Sequence, residues 1–220
     1  MVEDKNYLFS YASYSLNEYV FFMPRRWKRG HMYKRNTHTL VLTALLAVLS
    51  LILSLVKMAV PFIPPFLTLD LSFIPLFIGI LILNYKHALI ISLLKNVLHF
   101  ALISHEPTGS IANLVVEFIF LSSLAYFCKK NDSKFSVIAG GLIGTALMAI
   151  FMAFLNYFIL LPMYGFIIDL KDITNNLKAI VTYGIIPFNI IKGLFLIVLY
   201  FITKTTLKKI PNSLIGKFKI

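Results

Sequence analysis

Cysteine and charge are both scarce in this chain of 220 residues. The single cysteine, Cys128, excludes an intramolecular disulfide and supplies no cysteine cluster for zinc or an iron–sulfur centre. Charged residues make up only 14% of the chain, against about a quarter in a typical soluble domain. Hydrophobic residues make up 59% and gather in long apolar blocks. The composition therefore predicts an integral membrane protein rather than a soluble one.

The sequence signatures of several enzyme classes are also missing. There is no GxxxxGK[ST] loop to bind ATP, and neither an HExxH nor a GxSxG motif occurs. His99, Ser104 and His105 lie close together in the sequence, but they surround a predicted turn and have no further partner pattern for a catalytic dyad. We therefore predict no catalytic residues, no metal site and no cofactor.

Acidic residues are few, with nine Asp and Glu against 21 Lys and Arg. The basic residues lie mainly between or beyond the apolar blocks, which is typical of cytoplasmic flanks facing anionic lipid and not of a nucleic-acid groove. On one side of the predicted membrane they lie before residue 36, at Lys86, in the segment 129–134 and after residue 203. The connections on the other side hold only Lys57, Lys171 and Lys178. The positive-inside rule therefore places both termini in the cytoplasm.

The apolar blocks predict an all-α integral membrane protein with six transmembrane helices. Their expected bounds are 39–60, 71–83, 88–103, 111–127, 136–161 and 187–208. Three prolines predict an irregular connection over 61–69, and helix two is short for a full span. The polar segment 163–186 predicts a long loop on the outer side, the usual place for a lid or binding loop.

Three regions follow from this pattern. Residues 1–35 form a cytoplasmic N-terminal extension, whose aromatic and basic residues suit the inner membrane surface. Residues 36–210 form the membrane-embedded, substrate-binding domain, and residues 211–220 a cytoplasmic tail. The first 35 residues lack the charged tip and apolar core of a cleaved signal peptide.

Two polar residues lie deep in the last predicted helix. Lys192 is five residues into it, about 7–8 Å along the axis at about 1.5 Å per residue, and Asn189 shares its face. A lysine at the centre of a span costs about 2.5–3.5 kcal/mol on insertion scales, which favours a ligand-facing pair. The alternative is a lysine that reaches outward, with Asn189 in an ordinary interhelical hydrogen bond.

Further amides lie near the outer ends of two other helices. Asn156 lies at the end of helix five, and Asn113 lies one turn into helix four, with Glu117 one turn deeper. Each is explained equally well by packing. Together with Asn189 and Lys192 they match a flat heteroaromatic ligand that carries carbonyls, an imide N–H and hydroxyls. The aromatic side chains available as stacking walls are Tyr157, Phe158, Tyr164 and Phe188.

Small residues suggest two packing seams. Gly140 and Gly144 form a GxxxG step, for which close packing inside the monomer is at least as good an interpretation as a partner interface. Helix one carries a small face at helical spacing that includes Thr43, Ala44 and Ala47, and a partner interface is a second interpretation of it.

Four stretches and the basic lead-in to helix one carry a family resemblance. They are LDLSFIP (69–75), EPTGSIAN (106–113), NYFILLPMY (156–164) and PFNIIKG (187–193). Over about residues 35–210 the chain resembles the S components of energy-coupling-factor (ECF) vitamin transporters, and within them the riboflavin-specific branch. The resemblance implies a six-helix bundle in a prokaryotic cell membrane that captures riboflavin from outside and has no ATPase of its own.

The resemblance also implies roles for individual residues and partners. The implied substrate contacts are Asn156, Asn189, Lys192 and Asn113, with Met58 and Leu67 in a wall over the flavin and Glu106 and Tyr164 in the same site. The implied partners are a membrane-embedded coupling subunit, contacted by Thr43, Ala44 and Ala47, and two cytoplasmic ATPase subunits. Two alternatives stay open: an S component for a different vitamin, and a membrane scaffold or assembly protein without a transported ligand.

Overall fold

The computed structural model of the chain describes residues 32–61, 63–64, 67–105, 107–130, 133–163 and 176–209. Within these ranges the protein is mostly helical. Helix α1 spans Met32–Ser54 and is followed by two short strands, β1 (Lys57–Ala59) and β2 (Thr68–Asp70). Helix α2 (Phe73–Ile78) continues as a π-helical turn over Gly79–Leu83, and α3 (Tyr85–His99) continues likewise over Phe100–Ser104.

The second half of the described chain contains three long helices. Helix α4 spans Pro107–Lys130. Helix α5 (Lys134–Leu155) continues through a π-helical segment, Asn156–Leu160. Helix α6 begins with Leu177–Ala179, passes through π-helical Ile180–Ile185 and ends with Ile186–Lys208.

Five of these helices are long and apolar enough to cross a membrane: α1, α3, α4, α5 and α6. The spans cover Thr37–Ser54, Tyr85–Ser104, Pro107–Lys129, Lys134–Met163 and Leu177–Lys209. Helix α2, with its π-helical turn, covers only Phe73–Leu83. The expectation that helix two is short is confirmed, whereas a sixth crossing stays a prediction.

The packing order of the helices centres on α5. This helix lies between α4 and α6, while α4 also contacts α3 and α6 also contacts α2. Four aromatic side chains join α2 to α4 and α6, with ring centroids 5.2–6.2 Å apart: Phe73, Phe77, Phe120 and Tyr200. All four are buried, so the core lies where α2 enters the bundle.

The GxxxG step lies inside the bundle. Gly140 and Gly144 both face α4, where a methyl group on Gly140 would lie 2.9 Å from Cβ of Phe127. The hydroxyl of Ser123 on α4 donates a hydrogen bond of 2.7 Å to the carbonyl oxygen of Gly140. Close packing within the chain is therefore the interpretation that the structure supports.

The connection after α1 differs from expectation. Helix α1 ends at Ser54 rather than near residue 60, and β1 pairs with β2 in an antiparallel hairpin with Lys57 opposite Asp70. The prediction of an irregular chain throughout 61–69 is wrong at its end, because Thr68 and Leu69 belong to β2. Proline cannot donate to a strand ladder, and Pro61 and Pro64 lie between the two strands, where no ladder bond is required.

The last helix starts earlier than the sequence indicates. Helix α6 begins at Leu177, ten residues before the expected start at 187, and the helical segment of α5 runs on to Met163. Pro187 lies in the first turn of the α-helical part that follows the π-helical turns, where its missing N–H is tolerated. The predicted loop over 163–186 is therefore too long at its C-terminal end, and residues 164–175 lie outside the described part.

Candidate functional site

The hairpin and the adjoining ends of the helices surround a cavity of about 210 Å³. Helices α1, α3, α4, α5 and α6 and both strands contribute to its wall. Its polar lining consists of Ser54, Lys57, Thr68, Asp70, His99, Ser104, Thr108, Asn113, Asn156, Asn189 and Lys192. Its apolar lining includes Leu67, Val116, Met152, Leu160, Leu161, Ile185 and Phe188. A concave site in which polar groups converge between apolar walls is the usual form of a small-molecule site.

Five of the eight substrate-site residues expected from the sequence line this one cavity: Asn113, Asn156, Asn189, Lys192 and Leu67. Met58 lies on β1, is 37% exposed and is not among the lining residues. Glu106 and Tyr164 lie outside the described residues. Of the aromatic candidates, Phe188 lines the cavity, whereas Phe158 is 61% exposed.

The ammonium group of Lys192 points into the bundle. The residue is 4% exposed, and its Nζ lies 3.4 Å from Oδ1 of Asn113, a long distance for a hydrogen bond. The Nζ also lies 5.9 Å from the ring centroid of Phe73 and 5.8 Å from that of Phe188, which is cation–π distance. Lys192 does not reach outward to water, and it keeps donor capacity for a ligand.

The local helix geometry orients the two amides on α5 and α6. Asn156 begins the π-helical segment of α5, and its Nδ2 donates to the carbonyl oxygen of Met152 at 2.8 Å. Asn189 follows the π-helical segment of α6, and its Nδ2 donates to the carbonyl oxygen of Ile185, also at 2.8 Å. Each side chain bonds the carbonyl one turn back. One N–H and the Oδ1 of each amide therefore remain for a bound molecule, since both residues line the cavity.

A second buried polar group lies between α3 and α4, and the sequence analysis missed it. Glu117 accepts hydrogen bonds from Ser92 (2.6 Å) and Asn96 (2.8 Å), and its other carboxylate oxygen pairs with Lys95. A signal existed, because Lys95 and Glu117 are single charges inside two apolar helices. Such charges in adjacent spans usually pair with each other.

The small face of α1 has two environments. Thr43 and Ala47 are buried, at 4% and 1% exposure, whereas Ala44 is exposed. The hydroxyl of Thr43 donates to the carbonyl oxygen of Thr39 at 2.7 Å. A partner contact on this face stays a prediction, and of the three residues Ala44 is the one that a partner can reach.

Comparisons with known proteins agree with this architecture. Residues 38–203 match the family model described as ECF transporter, substrate-specific component. The chain is 39% identical to the riboflavin transporter RibU of Staphylococcus aureus over 61% of its own length and 71% of the relative's. It is 33% identical to the riboflavin transporter FmnP of Bacillus subtilis over 61% and 73% of the two chains.

A solved structure extends the agreement to the fold. The S component of a bacterial ECF transporter superimposes with a TM-score of 0.68 at 32% sequence identity, over 79% of this chain and 96% of that chain. With its apolar helices, the chain is a multi-pass membrane protein and a transporter subunit rather than an enzyme. It belongs to the substrate-specific (S) components of ECF transporters.

Proposed function

We propose that this chain is the substrate-capture subunit of an ECF-type importer and that it binds riboflavin in the cavity between α4, α5, α6 and the hairpin. The observation that carries the proposal is the meeting of three amides and one buried ammonium group around a single cavity. These groups are Asn113, Asn156, Asn189 and Lys192. The riboflavin transporters among the relatives support the same ligand.

The chemistry of the cavity suits an isoalloxazine ring. The pyrimidine edge of this ring carries two carbonyl acceptors and one imide donor, and an amide offers both an acceptor and a donor to such an edge. We assign this edge to Asn156 and Asn189. Lys192 donates to a carbonyl or a ribityl oxygen, while Phe188 and Leu160 provide apolar walls for the ring faces. Riboflavin is thus the transported ligand and not a cofactor.

We also propose the topology and the partners that this function requires. Both termini face the cytoplasm, α2 completes a six-helix bundle, and the cavity opens to the outside of the cell membrane of a prokaryote. Residues 36–210 form the binding domain. Release into the cell is driven by a membrane-embedded coupling subunit and two ATPase subunits, because the sequence carries no nucleotide-binding loop.

A direct titration tests the ligand. Purified protein in detergent is titrated with riboflavin while flavin fluorescence is followed, with thiamine and biotin tested in parallel by the rise in melting temperature. We expect saturable quenching with one riboflavin per chain and no response to the other two vitamins. A response to another vitamin alone would indicate an S component of different specificity. No response to any vitamin would indicate a scaffold or assembly protein.

A further inference from the structure

The polar group between α3 and α4 is among the most deeply buried parts of the described protein. Lys95 and Glu117 are each 1% exposed, Ser92 is 1% exposed and Asn96 is 4% exposed. The Lys95–Glu117 pair is the one ion pair within 4.0 Å in the part of the chain that the structure describes. Burying an ion pair in a membrane span gains little stability over apolar packing, so stability alone does not account for this pair.

Beside the cavity, buried ammonium groups outnumber the buried carboxylates that α4 contributes. Two buried ammonium groups, Lys95 and Lys192, flank α4, and this helix contributes one buried carboxylate, Glu117. Asp70 lies on the hairpin side of the cavity, where its Oδ1 accepts a hydrogen bond of 2.8 Å from the backbone N–H of Ser72. Asp70 and Glu117 are thus the two carboxylates near Lys192, and of the two Glu117 is the one that also pairs with Lys95.

Lys192 contacts α4 one helical turn away from Glu117. Asn113 and Glu117 are four residues apart on α4, so they share one face with Cβ atoms about 5–6 Å apart. The Nζ of Lys192 lies 3.4 Å from Oδ1 of Asn113, the residue one helical turn before Glu117. Val116, next to Glu117, lines the cavity itself.

We propose that Lys95 is a positioning residue: it holds the carboxylate of Glu117 on the α3 side and thereby leaves the ammonium group of Lys192 free for the ligand. Two neutral donors, Ser92 and Asn96, already occupy one carboxylate oxygen, and Lys95 takes the other. All three donors to Glu117 therefore lie on α3, which keeps the carboxylate on the side of α4 away from Lys192. This inference rests on the proposed binding of riboflavin at Lys192.

Removing the charge of Lys95 releases one oxygen of a buried carboxylate. A buried charge without a partner is strongly unfavourable, so Glu117 attracts Lys192, the other buried ammonium group beside α4. The ligand then competes with Glu117 for this ammonium group. We expect Lys95→Met to weaken riboflavin binding by about tenfold or more, because one charge-assisted hydrogen bond is lost.

A set of variants separates this role from simple packing. Riboflavin dissociation constants are measured by fluorescence titration for the full-length wild type, Lys95→Met, Lys95→Met/Glu117→Gln, and Lys95→Met in a Lys192→Met background. The double variant removes the competing carboxylate, so its affinity returns to within about threefold of wild type. In the Lys192→Met background, Lys95→Met causes less than about a threefold further change, because the two residues act through one contact.

Lys95→Arg is the matched control, because it keeps the charge and should bind within about threefold of wild type. If Lys95→Met does not fold, Lys95→Gln tests the charge alone: its neutral amide leaves the charge of Glu117 without a cation of its own, so riboflavin binding should again weaken. Wild-type affinity for riboflavin in Lys95→Met overturns the inference. A full further loss of affinity when Lys95→Met is added to Lys192→Met also overturns it, as does a double variant Lys95→Met/Glu117→Gln that binds as weakly as Lys95→Met. A wild type that binds no riboflavin overturns the proposed function and this inference together.

Discussion

At the scale of single residues, the candidate site depends on how amide side chains are oriented. Asn156 and Asn189 each donate one side-chain N–H to the backbone carbonyl oxygen one turn back, at or near a π-helical segment. This internal bond orients the rest of the amide before any ligand arrives. An oriented amide loses less side-chain entropy on binding than a free one, which favours high affinity.

We predict that Asn189→Ala weakens riboflavin binding by about 1–3 kcal/mol, or about 5- to 150-fold, because a polar group of the ligand is left unpaired. Thr203→Ala on the same helix is the matched control. Thr203 is also buried and also donates to the carbonyl oxygen one turn back, at 2.8 Å, but it does not line the cavity. Fluorescence titration should give wild-type affinity for the control, and equal losses in the two variants would contradict the assignment.

Lys192 should show opposite effects on stability and on binding. Its buried ammonium group has only a long contact to Asn113 and two aromatic faces among the described residues. We predict that Lys192→Met raises the melting temperature of the ligand-free protein, since burying an ammonium group with weak partners costs free energy. The same change should weaken riboflavin binding by about 1.5–3 kcal/mol, the range for hydrogen bonds to charged groups. A variant that melts lower and binds equally well would show that Lys192 is a packing residue.

The sequence allowed the cavity amides to be predicted better than the ion pair beside them. Asn156, Asn189 and Lys192 are polar residues in otherwise apolar segments, and a family resemblance connected them. Lys95 and Glu117 are 22 residues apart on different helices, and their pairing depends on which faces of α3 and α4 meet. Helical spacing alone does not give that rotation, although two lone charges in adjacent spans were a usable signal.

At the scale of elements, the contact between α5 and α6 holds Lys192 in place. Gly193 faces Thr145 of α5 so closely that a methyl group on Gly193 would overlap the threonine side chain. Thr145 is β-branched and its hydroxyl is bonded to the carbonyl oxygen of Gly141 at 2.7 Å, so it has little freedom to move away. The glycine therefore sets how closely the two helices approach beside the candidate site.

Gly193→Ala should destabilise the protein by about 1–3 kcal/mol, the usual range for overpacking. It should also weaken riboflavin binding, since separating α5 from α6 moves Asn156 away from Asn189. Gly109→Ala on α4 is the control for stability, because a methyl group there meets nothing within 4 Å. Thermal melting in detergent should show a loss for the first variant and none for the second. Equal melting temperatures would contradict the close approach.

The bounds of helices were predictable where the amino-acid composition changes sharply. They were not predictable at the start of α6 or in the short hairpin. The start of α5 near the basic segment and the shortness of α2 agree with the sequence, because charge and length report on them directly. The early start of α6 was missed, because the polar residues of 169–176 led the predicted loop to be extended as far as Pro187. The hairpin was missed because strands of three residues are too short to show alternation.

At the scale of the whole molecule, family membership makes this chain one part of a larger transporter. Riboflavin binding should therefore need this chain alone, whereas transport should also need the other subunits. We predict that cells expressing this chain with an ECF module accumulate labelled riboflavin, whereas cells expressing the chain alone bind it without accumulation. Accumulation by the chain alone would indicate a solitary carrier and would contradict the proposed dependence on partner ATPases.

The exposed part of the small face of α1 gives a test of partner contact. We predict that Ala44→Leu leaves riboflavin affinity unchanged but lowers uptake in the presence of the module, because added bulk separates two close-packed helices. Leu49→Phe is the control, since Leu49 is exposed on the same helix about 140° further round. Normal uptake by the Ala44 variant would place the coupling contact elsewhere.

The most direct measurement for the account as a whole is an experimental structure of the protein with riboflavin bound. We predict density for the isoalloxazine ring in the cavity between α4, α5, α6 and the hairpin. Its pyrimidine edge should lie within hydrogen-bond distance of Asn156 and Asn189, and Lys192 should contact a carbonyl or ribityl oxygen. Riboflavin bound at another place, or an empty cavity at saturating riboflavin, would contradict the central claim.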